Sequence, residues 1–155
     1  MGVVETILNT AEKTCVLICP FWNLSEHLFN QIIRLANDGV LVLIIHRHFD
    51  DKFHDDDVIF NKKQYKTLKN TPNIKLAPVH RLHTKCYFNE KFCFITSFNL
   101  TESSLGNFEL GMFFDDKEPM YIKVMREVNK IMKEIGLTPY TGLMDRAKQE
   151  PPTID

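Results

Sequence analysis

Residues 83–99 read HTKCYFNEKFCFITSFN, and the side chains in this stretch that could do chemistry fall in pairs two apart: His83 with Lys85, then Ser97 with Asn99. A histidine with its pKa near 6.5 can serve as a neutral base or a cationic acid close to neutral pH. The apolar residues around the pairs predict two strands joined by a tight turn. Alternation then puts His83, Lys85 and Tyr87 on one face of the first arm, and Cys93, Ile95, Ser97 and Asn99 on one face of the second. Loop length decides whether the pairs meet. A two-residue Asn89-Glu90 turn sets His83 opposite Thr96 and sends Ser97 to the wrong side. A three-residue loop, Asn89-Glu90-Lys91, sets His83 opposite Ser97 and aligns all four polar residues. The three-residue loop is the expectation, and it places Cys86 and Cys93 on opposite faces. Four convergent polar groups on a buried hairpin are costly unless satisfied or used. Each has an ordinary structural explanation by itself: a satisfied core histidine, or a turn and helix cap at TSFN and LTESS. Together they favour a site.

The flanking elements must position these residues. Residues 2–12 predict a helix and KTCVLICPFW (13–22) a short apolar strand bounded by Pro20. In NLSEHLFNQIIRLANDG (23–39), Leu28, Ile32, Leu35 and Ala36 recur at helical spacing, with Ser25 as N-cap and Asn37-Asp38-Gly39 as the end. VLVLII (40–45) is a second buried strand, so this segment is a βαβ unit with parallel strands. A His/Asp-rich loop, a helix around 60–69, a strand at NIKLAPV (73–79) and the hairpin follow. A strand at FELGMFF (108–114) and an amphipathic helix from Pro119 to Gly136 complete the pattern. The expected fold class is α/β: one mixed, mostly parallel β-sheet with helices on both faces. A single domain is expected over 1–137, followed by a tail at 138–155.

The 155 residues are 44% hydrophobic and 25% charged, an ordinary globular composition with enough chain for one core. No apolar run approaches the roughly 20 residues of a membrane span. The N-terminus has no basic region of the signal-peptide kind. A cytoplasmic protein without stable membrane association is therefore expected. MGVVET fits the loose N-myristoylation pattern, but the same residues start an amphipathic helix, which is the preferred reading. The four cysteines show no C-x-x-C spacing, against a zinc knuckle. Cys15 and Cys19, on one strand, would lie about 13 Å apart, too far for a disulfide. All four are expected to be small core thiols. The net charge of −1 hides a split: residues 60–91 hold eight Lys and Arg against Glu90 alone, net +7, leaving −8 elsewhere. Such a split can steer an anionic substrate to one face. A solvated helix face would explain the same lysines.

The hairpin resembles the H-x-K-x4-D-x6-G-S-x-N motif of the phospholipase D superfamily, with His83, Lys85, Ser97 and Asn99 on its His, Lys, Ser and Asn. Glu109, in GNFELG, stands where members often carry a Glu entering the next strand. VLICPFW, the following helix and DGVLVLIIHRH resemble the family's first βαβ unit, so the likeness covers about residues 12–115. The chain departs from the motif in three ways: Asn89-Glu90 replaces the Asp, the gap to Ser is one residue shorter, and Thr96 replaces Gly. The resemblance implies a phospholipase D-like catalytic domain and a metal-independent phosphodiesterase that needs no cofactor. In that family a neutral histidine attacks phosphorus, a second histidine protonates the leaving oxygen, and water reverses the sequence. His83 would fill both histidine roles. Lys85 and Asn99 would hold the phosphoryl oxygens, Ser97 would add a hydrogen bond, and Glu109 would orient the imidazole. The chain holds one H-x-K where the mechanism needs two histidines. Short single-motif members dimerise about a two-fold axis, so a homodimer sharing one site is expected.

HRHFDDKFHDDD (46–57) has three His and five Asp, yet lacks helical H-x-x-x-H spacing and a glycine for an EF-hand turn, so no metal is expected there. Ligands of open α/β sheets bind beyond the carboxyl ends of strands. Phe21 and Trp22 are therefore expected to stack a base, and His46 or His48 to meet phosphate, with Arg81 of the basic stretch as a further substrate contact. Core or dimer packing is the competing reading of both aromatic residues and the preferred one for Trp22. A short, basic-fronted chain of this kind fits a nuclease acting on DNA or RNA. The alternatives are a phospholipase or other phosphodiesterase, and a catalytically silent nucleic-acid-binding dimerisation module, for which the shortened motif speaks.

Overall fold

The computed structural model describes residues 2–51, 59–101 and 109–137. Helix α1 (Gly2–Thr10) leads into β1 (Thr14–Ile18), every residue of which is buried. Pro20 cannot donate to a ladder and ends that strand; a two-residue strand, β2 (Trp22–Asn23), follows. Helix α2 (Glu26–Asn37) begins where the sequence places it: the Ser25 hydroxyl accepts the Leu28 N–H at 3.4 Å. Gly39, at φ 93°, supplies the left-handed turn into β3 (Leu41–Arg47). Helix α3 (Lys62–Lys69) is capped by Asn61, whose Oδ1 accepts the N–H groups of Lys63 and Gln64. Next come β4 (Ile74–Val79), the hairpin strands β5 (Cys86–Asn89) and β6 (Phe92–Thr96), then β7 (Leu100–Thr101), β8 (Gly111–Asp115) and α4 (Pro119–Glu134).

Six strands form one mixed sheet in the order β4-β3-β1-β5-β6-β8, while β2 and β7 pair in parallel beside it. Strands β1, β3 and β4 are mutually parallel, as helical crossovers require. The tight hairpin permits only antiparallel pairing, so β5, β6 and β8 alternate in direction, and β6 runs the same way as the parallel three. Helices cover both faces. On one, α1, α2 and α3 set Ile7, Leu8, Leu28, Ile32 and Leu68 against Leu17, Val42, Ile44 and Tyr87. On the other, α4 sets Tyr121, Met125, Val128 and Met132 against Val16, Ile18, Ile45 and Phe88. Burial on both faces explains the unbroken apolar runs Cys15–Ile18 of β1 and Leu41–Ile45 of β3. Each large side chain so buried contributes about 1.5–3 kcal/mol.

The hairpin differs from expectation in its register. Cys86 faces Ile95, Tyr87 faces Phe94 and Phe88 faces Cys93, so the loop is the two residues Glu90-Lys91. Asn89 is the reason. Instead of opening the turn it closes it: its Oδ1 accepts the N–H groups of Lys91 and Phe92 at 2.8 and 2.9 Å. Its Nδ2 donates to the Ile7 carbonyl at 2.7 Å and the Thr10 hydroxyl at 2.8 Å, tying the turn to the end of α1. The Glu90 carboxylate accepts the Lys13 and Thr14 N–H groups at 3.1 and 3.3 Å, which anchors the turn to the start of β1. One consequence corrects the sequence reading directly. Cys86 and Cys93 share a face, with their thiols 3.7 Å apart in the α4-side core.

Asn89→Ala would leave two turn N–H groups and the Ile7 carbonyl without partners in a buried place. The expected loss is about 3 kcal/mol, read as a lower urea midpoint at unchanged slope. A loss under about 1 kcal/mol would show that the register is held by something else.

Candidate active site

The hairpin ladder runs one step past β5, where the Lys85 carbonyl accepts the Thr96 N–H at 3.2 Å. Lys85 therefore shares the sheet face of Tyr87, the face covered by α1–α3. After Thr96 the chain leaves the ladder. The Tyr87 hydroxyl donates to the Phe98 carbonyl at 2.7 Å, and the next residue, Asn99, turns back toward the carboxyl end of β1. There its Oδ1 lies 3.5 Å from the Cys19 thiol, which also accepts the Leu100 N–H at 3.3 Å and lies 3.2 Å from the Phe21 carbonyl. Burial pushes the Cys19 thiol's pKa up, and its hydrogen bonds with Tyr87, Leu100 and Phe21 draw it partly back. The Ser97 hydroxyl donates to the Glu109 carboxylate, and the Leu110 N–H donates to Ser97 Oγ at 3.1 Å. Burial, together with the neighbouring Cys19 and Glu109, raises the Tyr87 phenol well above its ordinary pKa.

His83 lies at the rim, just outside β5 and exposed. Its carbonyl accepts the Lys85 ammonium at 3.2 Å, and its imidazole has no hydrogen bond among the described residues. The observed register puts Ser97 on the opposite strand parity from Lys85, so the four motif residues do not line one face as expected. They assemble instead because 97–99 leave the strand. Glu109 pairs with Ser97 rather than with the His83 ring, so the imidazole-orienting contact that the resemblance implied is not made within this chain. Cys19 and Tyr87 form the floor of the cluster and were not picked out in the sequence. The usable signals were the position of Cys19 at the end of β1 and the parity of Tyr87 with Lys85.

The expected substrate contacts divide. Trp22 is fully buried, stacked on Phe60 with ring centroids 5.4 Å apart, and its Nε1 donates to the Cys19 carbonyl at 2.6 Å. It is a core residue with no face free for a base. His46 is likewise buried, because strand alternation turns it inward among Phe49, Phe60 and Tyr65. Its Nδ1 lies 2.8 Å from the Arg47 carbonyl, which places the proton there and leaves Nε2 as the lone-pair nitrogen, away from any phosphate. Phe21 is half-buried, with the Arg47 guanidinium 5.6 Å from its ring centre. His48 and Arg81 meet in a second cluster at the carboxyl ends of β3 and β4. His48 stacks on His80 at 4.0 Å, His80 pairs with Asp51 at 3.0 Å, and the Arg81 N–H donates to the same carboxylate. These partners hold the Asp51 carboxyl below its usual pKa, the His80 hydrogen bond most of all. Positions 52–57 of the His/Asp-rich loop lie outside the described residues. Among the described residues no group of three or more His, Cys, Asp or Glu could hold a metal ion.

The family model described as "Cardiolipin synthase, PLD-like domain" matches residues 4–135. The chain belongs to the phospholipase D superfamily. Among solved structures it is similar to NucT from Helicobacter pylori, with a TM-score of 0.67 and 18% identity over 86% of this chain and 87% of that one. It is also similar to Nuc from Salmonella typhimurium, a phospholipase D family member, with a TM-score of 0.64 and 12% identity over 86% of each chain. The phosphatidylserine synthase of Haemophilus influenzae matches with a TM-score of 0.60 and 16% identity over 94% of this chain but 41% of its own. At these identities the likeness establishes the fold. A search among curated proteins finds no match. The molecule is thus a phospholipase D-like domain, of a family whose members are typically phosphodiesterases. No helix among the described residues is long and apolar enough to cross a membrane.

Burial of His46 has a consequence for acid stability. Desolvation disfavours the imidazolium, so the folded pKa lies below the ordinary 6.5. The unfolded chain takes up a proton that the folded chain refuses. The contribution is therefore complete above about pH 6.5 and declines as pH falls from there toward the folded pKa. His46→Phe suits the aromatic cage and should lessen the fall of the urea midpoint between about pH 7 and pH 5. An equally steep fall in the variant would place the acid sensitivity elsewhere.

Proposed function

We propose that this protein is a metal-independent nuclease, hydrolysing DNA or RNA through a phosphohistidine in a site that two copies share. The observation that carries the reading is Asn99 turned back onto Cys19 and Ser97 paired with Glu109 at the end of the hairpin, with the Lys85 ammonium on the His83 carbonyl and the His83 ring exposed. A phosphodiester repels nucleophiles because its oxygens are anionic, so charge must be neutralised and the attack aligned. Lys85 supplies the positive charge. Asn99 turns its Oδ1 toward Cys19, which leaves Nδ2 to donate to a phosphoryl oxygen. Neutral His83 attacks phosphorus, the P–N bond forms, and the P–O bond to the leaving oxygen breaks. The partner copy's imidazolium at the same position gives that oxygen its proton. It then takes a proton from water, whose oxygen displaces the first histidine.

Two features support the shared site. The chain carries one H-x-K, and exposed apolar residues lie next to Glu109, at the entry to and along the edge strand β8. Leu110, next to Glu109, is 81% exposed, followed by Met112 and Phe113. An exposed apolar edge of this kind is suited to burial against a second copy. The basic stretch over residues 60–91 favours a polyanionic substrate. A lipid phosphodiester is the second reading, favoured by the description of the matching family model and by the likeness to the phosphatidylserine synthase.

Labelled single- and double-stranded DNA and RNA, incubated in excess EDTA, should be cut by the wild type. His83→Ala should lower turnover by about 10³-fold or more, with an unchanged circular dichroism spectrum. Retained turnover in that variant would remove the central claim. Cutting of phospholipid alone would select the second reading.

Sedimentation should show a dimer at assay concentration. Leu110→Lys should shift it toward monomer and lower activity in parallel. A monomeric, active wild type would overturn the shared site.

A further inference from the structure

Three extended segments lie side by side next to the candidate active site. β7 begins one residue after Asn99, β2 pairs with it through Trp22–Leu100 and Asn23–Thr101, and Phe60 bridges Trp22 from the other side. The Trp22 N–H donates to the Ile59 carbonyl at 2.8 Å, and the Asn61 N–H to the Trp22 carbonyl at 3.0 Å. Leu100 and Phe60 are thus two strand spacings apart, about 10 Å. At the far end of this ribbon, between the starts of α2 and α3, a groove of about 490 Å³ opens, lined by Asn23, Asn30, Asn61, Lys63 and Gln64 among others.

Some of these groups are already occupied. Gln64 accepts the Leu24 N–H at 3.1 Å and donates to the Leu24 carbonyl at 2.7 Å, locking α3 against the approach to α2. Asn61 caps α3. The Asn23 Oδ1 accepts the Asn61 Nδ2 at 3.4 Å, so the Lys63 ammonium, the Asn30 amide and the Asn23 Nδ2 remain to face a ligand. Lys62, Lys66 and Lys69 recur at helical spacing on the exposed side of the same helix, which contains no acidic residue. Among the described residues none of these four lysines is in an ion pair. Glu26, with Phe29, lies on the opposite wall.

We propose that this groove and the lysine face of α3 form a track for a nucleic-acid strand leaving the active site. Lys63 and its neighbours meet the phosphates that flank the scissile bond. Asn23 and Asn30 line the same groove, where amides can offer hydrogen bonds to base edges. A lipid tail would call for apolar walls, whereas only Leu24 and Phe29 are apolar among the lining side chains. Cations repeated along a helix fit an anion repeated along a polymer. The inference rests on the phosphodiesterase reading and narrows its substrate to a polynucleotide.

The test compares wild type with Lys63→Glu and with the triple variant Lys62→Glu, Lys63→Glu, Lys66→Glu. All three lysines are exposed; Lys62 and Lys63 stand in the first turn of α3, where the helix dipole favours acids, and Lys66 in the last, so a circular dichroism spectrum matching wild type is required of the triple variant. One substrate is a labelled oligonucleotide, in DNA and RNA forms, long enough to span site and groove. The other is bis(p-nitrophenyl) phosphate, which reaches the scissile position alone. For the oligonucleotide, the triple variant should raise KM about tenfold or more and flatten the salt dependence of log KM by about 2. Its kcat, and both constants for the small diester, should stay unchanged. Equal losses on both substrates, or an unchanged oligonucleotide KM at low salt, would overturn the track. If the wild type cuts neither substrate, the hydrolytic reading falls, and fluorescence anisotropy with the same oligonucleotides decides the groove by itself. Weaker binding by the triple variant then supports the track, and equal binding overturns it.

Discussion

One buried amide, Asn89, joins the layers of this molecule. Its side chain closes the hairpin turn and reaches the last turn of α1 on one side of the sheet, while its carbonyl accepts the Tyr121 hydroxyl of α4 at 2.7 Å on the other. Both helical layers are therefore tied to one point of the hairpin. Because side chains alternate strictly along a strand, a slip of one residue at that point would turn every hairpin side chain to the opposite face. The observed register sends Tyr87 toward α1–α3, and Cys86 and Phe88 toward α4.

The candidate site inherits that choice. With Tyr87 inward under α1–α3, its hydroxyl meets the Phe98 carbonyl and pulls the chain off β6, so that Asn99 comes back over Cys19. The site is therefore assembled from the frayed ends of the hairpin and the carboxyl end of β1, rather than from the face of a continuous ladder. That placement frees the polar groups from the cost of full burial. Lys85 and Asn99 are half-buried, and His83, Ser97 and Glu109 are exposed.

Electrostatics reinforce the geometry. The floor of the cluster is a thiol and a phenol whose pKa values burial pushes upward, so both stay neutral near pH 7. Among the described residues the Lys85 ammonium forms no ion pair. The nearby carboxylate, Glu109, is engaged by the Ser97 hydroxyl. An ammonium without a carboxylate partner is well disposed toward an anionic ligand arriving from outside.

Local pattern alone was enough to read the helices and the six strands of the main sheet, but not the short β2 and β7. The Ser25 cap, the glycine after α2, the amphipathic stripe of α4, the two-face burial of β1 and β3 and the motif residues are all legible in a few neighbouring letters. The hairpin register was not, because Asn89 could open a turn or close one, and the choice belongs to Ile7 and Thr10, some eighty residues away in the chain. Nor was the inward turn of His46 toward Tyr65, or the burial of Trp22 against Phe60, since both depend on where α3 and its lead-in segment pack. Ser97 found Glu109 because the strand ended before it, leaving its hydroxyl to pair with whatever crossed beside it. Periodicity and capping act over three or four residues, and the sequence by itself determined them. Register, burial of the aromatic residues and the pairing inside the site are set by contacts between distant segments, and only the tertiary structure decided those.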